Sequence, residues 1–175
     1  GNVTVSDGTQ SCTAAVSAGT CSIAFNSIGA KTLTAVYAGD ANYNGSTSAD
    51  APHQVSAAAT TTTITNAASL SATPTVVGQS YAVNVSVTAA PPATGTPTGT
   101  VTVSDGSQSC TITLPVTSCS LTSTSPGAPK TITASYNGDA DFSGSSTTVL
   151  HTVNKAVTTL GSLTDSPDPS VVGQA

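Results

Sequence analysis

The chain has 175 residues with eight Asp, three Lys and neither Glu nor Arg, a net charge of −5. Three cations neutralise few phosphates, which excludes nucleic acid and argues against an anionic membrane surface, and no run of about 18 apolar residues exists to cross a bilayer. Thr, Ser, Val and Ala, punctuated by 15 Gly and 10 Pro and without Met or Trp, suit pleated strands ended by turns, so we expect an all-β protein with small aliphatic cores.

In chain order, the first signal is Asp7-Gly8 within Asn2-Val3-Thr4-Val5-Ser6-Asp7-Gly8-Thr9. It predicts a hairpin with a type I′ turn, which needs positive φ at both central positions. Cys12 and Cys21 follow as C-x8-C, with one ending a strand and the other beginning the next across a short turn. Antiparallel neighbours can bring two Cβ atoms within disulfide range. Free thiols or a metal site are the alternatives, although zinc usually takes four ligands at closer spacing. Next come Lys31, Tyr37, the acidic loop Gly39-Asp40-Ala41-Asn42-Tyr43, and His53.

Ser56–Thr60 reads as a linker. Beyond it, period-2 alternation predicts strands over residues 60–65, 79–89, 99–105, 107–114, 117–122, 130–137 and 146–154. The clearest case is Tyr81, Val83, Val85 and Val87 on one face against Ala82, Asn84, Ser86 and Thr88 on the other. A second Asp-Gly hairpin is expected at 105–106, and a second cysteine pair stands at Cys110 and Cys119. Lys130, Tyr136, the loop Gly138-Asp139-Ala140-Asp141-Phe142 and His151 come after it. Asn154–Val157 sits where the first linker does.

These elements recur. GNVTVSDGTQSCT (1–13) and GTVTVSDGSQSCT (99–111) match at 11 of 13 positions at an offset of 98. YAGDANYNGS (37–46) answers YNGDADFSGS (136–145) at 99, His53 answers His151 at 98, and ATPTVVGQS (72–80) is echoed by SPDPSVVGQA (166–175). A period near 98 is too long for a solenoid but fits one immunoglobulin-like sandwich. We therefore expect tandem antiparallel sandwiches of about seven strands: residues 1–55 the later part of one unit, 56–153 a complete unit, and 154–175 the opening of a third.

Three stretches resemble the bacterial immunoglobulin-like (Big) domain repeats: Pro97-Thr98-Gly99-Thr100-Val101-Thr102-Val103-Ser104-Asp105-Gly106, Ile132–Phe142, and Ser170-Val171-Val172-Gly173-Gln174. The resemblance implies sandwiches strung in arrays on bacterial adhesins, stalks and other exported proteins, without catalysis of their own. The paired cysteines depart from that pattern. As disulfides, they point to an oxidising compartment and an extracellular or cell-surface location.

Asp40, Asn42, Asp139 and Asp141 are weak Ca²⁺ candidates, since hard cations take carboxylate and carbonyl oxygens. One or two carboxylates per loop without a bidentate Glu fit a capped turn better. Tyr37 and Tyr136 read as core plugs, His53 and His151 as solvated or junction-packing residues with a pH sensor as the alternative. Lys31 and Lys130 read as exposed strand-start residues, a Lys–Asn cross-link being the alternative. The sequons at Asn2, Asn44 and Asn84 read as chance. No catalytic arrangement or cofactor is expected. The functions expected are a structural spacer or fibre, an adhesin module taking a surface glycan or protein through its end loops, or a filament subunit. In the last, residues 154–175 of one copy complete a sheet in another, so the partners are neighbouring repeats or copies of the chain itself.

Overall fold

The computed structural model describes residues 1–162 and 172; the Ser170–Gln174 motif lies, except for Val172, outside the described residues. Among the described residues, thirteen strands, one short α-helix and a 3-10 turn at Val16–Ala18 follow in chain order. The first five strands are β1 (Asn2–Ser6), β2 (Ser11–Ala15), β3 (Gly29–Tyr37), β4 (Ser46–Thr47) and β5 (Ala51–Val55). They form one sheet, in which β1 lies between β2 and β3, and β4 and β5 share the other edge of β3.

From residue 60 onward come β6 (Thr60–Ile64), α1 (Ala67–Ala72), β7 (Thr75–Val76), β8 (Ser80–Ala89), β9 (Thr100–Ser104), β10 (Ser109–Thr113), β11 (Ser118–Thr122), β12 (Gly127–Tyr136) and β13 (Ser145–Asn154). They make two sheets, ordered β10-β9-β12-β13-β7 and β11-β8-β6. All pairings are antiparallel except β13 with β7. This is an immunoglobulin-like sandwich, and its seven long strands fall where alternation placed them.

The core follows from that alternation, because successive side chains of a strand face opposite ways. Tyr81, Val83, Val85, Leu121 and Ile64 come from one sheet and Val101, Val103, Ile112, Ile132, Ala134, Tyr136 and Val149 from the other, all buried. Each large aliphatic so buried contributes roughly 1.5–3 kcal/mol. Leu70 of α1 is also buried, at one end of the core.

The structure departs from the sequence reading in several places. Between the first two long strands lie α1 and β7, which alternation does not signal; six residues of Ala, Ser and Leu form too short a helix to show a 3.6-residue period. β12 begins at Gly127, three residues early, with an irregular register between Gly127 and Lys130. The Asp-Gly hairpins are not type I′ turns. Gly8 and Gly106 both have φ near +89°, but among the described residues no non-glycine residue has positive φ, so Asp7 and Asp105 do not take the conformation that turn demands. Instead, four residues connect Ser6 to its cross-strand partner Ser11, and Ser104 to Ser109. The first Asp of each loop holds it with its carboxylate, Asp105 Oδ1 accepting from the backbone N–H of Ser107 (2.8 Å) and Gln108 (2.7 Å).

Candidate functional site

The cysteine pairs form disulfides, Cys12–Cys21 and Cys110–Cys119, but not between neighbours in one sheet. Cys110 lies on β10, at the edge of the five-stranded sheet, and Cys119 on β11, at the edge of the three-stranded sheet. The bond therefore clamps the two layers together where they would part most easily.

Beside this clamp runs a buried polar chain. Asp105 Oδ2 accepts from the Ser123 hydroxyl at 2.5 Å and from Lys130 Nζ at 3.1 Å. Tyr81 Oη lies 3.0 Å from Ser123 Oγ. Because the Ser123 proton goes to the carboxylate, Tyr81 donates to Ser123. Burial alone would raise the Asp105 carboxyl, yet hydrogen bonds from Ser123, Gln108, Ser107 and Lys130 outweigh it and hold the group well below the usual carboxylate range. Burial pushes the Tyr81 hydroxyl up.

Lys130 is thus not the exposed strand-start residue expected: its side chain is 10% exposed and that of Asp105 is fully covered. Its hydrogen-bond partner is Asp105, not the asparagine that a Lys–Asn cross-link requires. Lys31, its counterpart, donates to Ser27 Oγ at 2.8 Å.

The two histidines part company. His53 is exposed and stacks on Phe25 with ring centroids 5.2 Å apart. His151 is 1% exposed, neither solvated nor at a junction, because β13 turns it into the sandwich between Val149 and Val153. Its Nδ1 lies 2.8 Å from the Leu70 carbonyl and its Nε2 2.8 Å from Thr75 Oγ1. A carbonyl only accepts, so Nδ1 carries a proton and donates to Leu70. The histidine ties α1 and β7 to β13. It pairs a hydroxyl with an imidazole, but both residues are buried, so no substrate reaches them.

The four Ca²⁺ candidates serve their loops. Asp139 Oδ1 accepts from the N–H of Asp141 (2.9 Å) and Phe142 (2.8 Å), and Oδ2 from the N–H and hydroxyl of Thr98, each at 2.7 Å. The Thr98 side chain and then its backbone N–H lead the bonds that lower the Asp139 carboxyl far below its ordinary value. Four donors occupy its roughly four acceptor positions, leaving none aimed outward for a cation. Asp40 is held likewise by Tyr37, Asn42 and Tyr43, the Tyr37 bond leading the lowering of its pKa. Asn42 and Asp141 contribute backbone N–H groups to these turns and are otherwise exposed. Among the described residues no three His, Cys, Asp or Glu side chains converge as a metal site. The loop needs Gly138: its φ is +83°, and a Cβ there would meet the Phe142 carbonyl at 2.8 Å.

Tyr136 plugs the core at 3% exposure. Its hydroxyl is the buried side-chain polar atom without a hydrogen-bond partner among the described residues; burial first, then the nearby Asp139 carboxylate, push it up to about 12.

The joint between residues 1–55 and the sandwich is shorter than the five-residue linker expected. Ala58 N–H donates to the Asp141 carbonyl at 2.8 Å, and the Ala58 carbonyl accepts from the Ser143 N–H at 2.8 Å. Thr60 Oγ1 donates to the Ser143 carbonyl at 2.8 Å. With β5 ending at Val55, only Ser56 and Ala57 remain between the sheet and the first anchored residue. The repeat offset suggested a joint near here, but nothing in the spacing of Ala58 announced its bonds.

The family model for the bacterial Ig-like domain (group 3) matches residues 1–56 and 67–154. No curated protein matches. Among solved structures, the fibronectin(III)-like modules of Clostridium thermocellum CbhA are similar at 14% identity and a TM-score of 0.48, over 94% of this chain and 83% of that one.

Proposed function

The chain belongs to the bacterial Ig-like domain (group 3) family, and on that premise we propose that it is a mechanical spacer, a run of sandwiches in series within an exported bacterial surface protein. The observation that carries this reading is the joint. Anchoring Ala58 on both sides to the 141–143 loop leaves two residues to bend, so successive units are restrained and a chain of them extends rather than collapses. The disulfides favour an oxidising setting, and Asp7, Asp40, Asp105 and Asp139 are committed to their turns and Lys130 to Asp105. With three lysines in 175 residues and no arginine, trypsin-like proteases find few targets.

The test is small-angle scattering on the chain and on Ala58→Pro, which removes the N–H given to Asp141. The native chain should scatter as an elongated particle, and the variant should show a broader distribution of dimensions with an unchanged sandwich unfolding transition. A compact native particle, or a variant indistinguishable from it, would overturn the reading.

A further inference from the structure

The complete unit is rich in threonine, and its fold occupies most of it. Threonines of the strands stand in hydrogen-bonded ladders, as in Thr61↔Thr88, Thr111↔Thr102 and Thr133↔Thr148. Thr60, Thr62 and Thr75 bond through their hydroxyls to Ser143, Ser145 and His151. The longest connection of the unit without strand or helix is 90–99, between β8 and β9, and it reads APPATGTPTG. Its three threonines differ. The Thr98 hydroxyl donates to Asp139 Oδ2 at 2.7 Å. Thr94 and Thr96 are exposed, and among the described residues neither their hydroxyls nor the backbone of 94–96 form a hydrogen bond. The segment is nonetheless held in place. Pro97 is buried, and Gly95 packs on the Phe142 ring, which a Cβ there would meet at 3.0 Å. Thr96 precedes that proline, which restricts it to extended backbone.

We propose that Thr94 and Thr96 are acceptor sites for O-linked sugar, a hexose delivered from a phosphate-linked donor by a glycosyltransferase. Such an enzyme has to close on the chain around its acceptor hydroxyl, and in a paired strand the sheet already occupies the groups on either side. At 94–96 both the hydroxyls and the flanking backbone are free, and threonine among prolines in an exposed loop is the composition that carries O-linked sugar. In the transfer, threonine Oγ1 attacks the anomeric carbon of the sugar. The new C–O bond forms as the bond from that carbon to the donor's phosphate oxygen breaks; the electron pair leaves with the phosphate, and the hydroxyl proton passes to a base of the transferase. No oxidant or reductant enters. Because Gly95 packs on Phe142, whose neighbours Asp141 and Ser143 fasten Ala58, the sugars stand beside the joint and shield the longest unpaired loop of the unit.

The experiment incubates the full chain with polyprenyl phosphomannose and bacterial membranes that O-mannosylate a control threonine peptide in the same reaction. Intact mass and fragmentation read the product. The chain should gain hexose, localised to Thr94 and Thr96. Thr94→Val combined with Thr96→Val should abolish the gain and leave the unfolding temperature unchanged, since neither hydroxyl is bonded within the fold. Thr111→Val on β10 should leave the gain as it is. No added hexose while the control peptide is labelled, sugar on the strand threonines, or labelling that survives in the double variant would overturn the proposal. So would a double variant that unfolds early, because the two hydroxyls would then serve the fold.

Discussion

Removing the carboxylate of Asp105 is the sharpest test of how the complete unit is held. Asp105→Ala strands four donors at once: the N–H groups of Ser107 and Gln108, the buried Ser123 hydroxyl and the Lys130 ammonium. Breaking a buried pair from one side costs about 3–5 kcal/mol; some solvent screening reaches Lys130, whose side chain is 10% exposed, so we take about 2–4 kcal/mol. For a sandwich of about a hundred residues that lowers Tm by roughly 10–30 °C. Calorimetry and urea unfolding measure it, with Asp7→Ala as the internal control. Asp7 holds the same turn through Thr9 and Gln10 but has no Ser123, so its loss should leave the main transition unmoved. The pH dependence has a defined sign. The folded-state pKa of Asp105 lies below its unfolded value of 3.8, so its contribution is complete above about pH 4 and is lost as pH falls through the more acidic range toward the folded value. Asp105→Asn should flatten that part of the stability profile relative to the native chain. If Asp105→Ala costs less than about 1 kcal/mol, or the two acid profiles run parallel, the chain from Tyr81 to Lys130 does not hold the sandwich as described.

Two more substitutions test other fastenings. Replacing Cys110 and Cys119 together by Ser opens a loop of nine residues' separation and should cost roughly 2–3 kcal/mol on the chain-entropy account, read as a lowered urea midpoint that reductant reproduces in the native chain; an unchanged midpoint would contradict the clamp. His151→Phe keeps a ring beside Tyr81 but leaves the Leu70 carbonyl and Thr75 hydroxyl without their partner. Amides of residues 67–76 should then exchange well ahead of β8, β9 and β12; uniform acceleration would show that the histidine does not specifically fasten α1 and β7.

Alternation made the sandwich legible because the strands that bury one face advertise it, as Tyr81, Val83 and Val85 do. The offset of 98 made the internal repeat legible because the turn residues recur almost letter for letter. What escaped lies where tertiary partners decide. Lys130 reads as a solvated lysine until the carboxylate of Asp105, 25 residues earlier, meets its ammonium; local sequence holds no record of that meeting. His151 looks peripheral because it nears the end of a strand, yet strand parity, counted from Val149 and Val153, already set it inward. The cysteine spacing was informative about the bond but not about the layers it joins, since a short connection between strands can be a hairpin within one sheet or a crossing between two.

The comparison of residues 20–24 with 118–122 carries this furthest. Thr-Cys-Ser-Ile-Ala and Ser-Cys-Ser-Leu-Thr have nearly the same pattern and the same disulfide behind them, yet only the second is a strand. The difference is the ladder that Ser80–Asn84 supplies. Intrinsic β-propensity is a measure of fit to a neighbour more than a property of the segment, and here one chain contains both the experiment and its control.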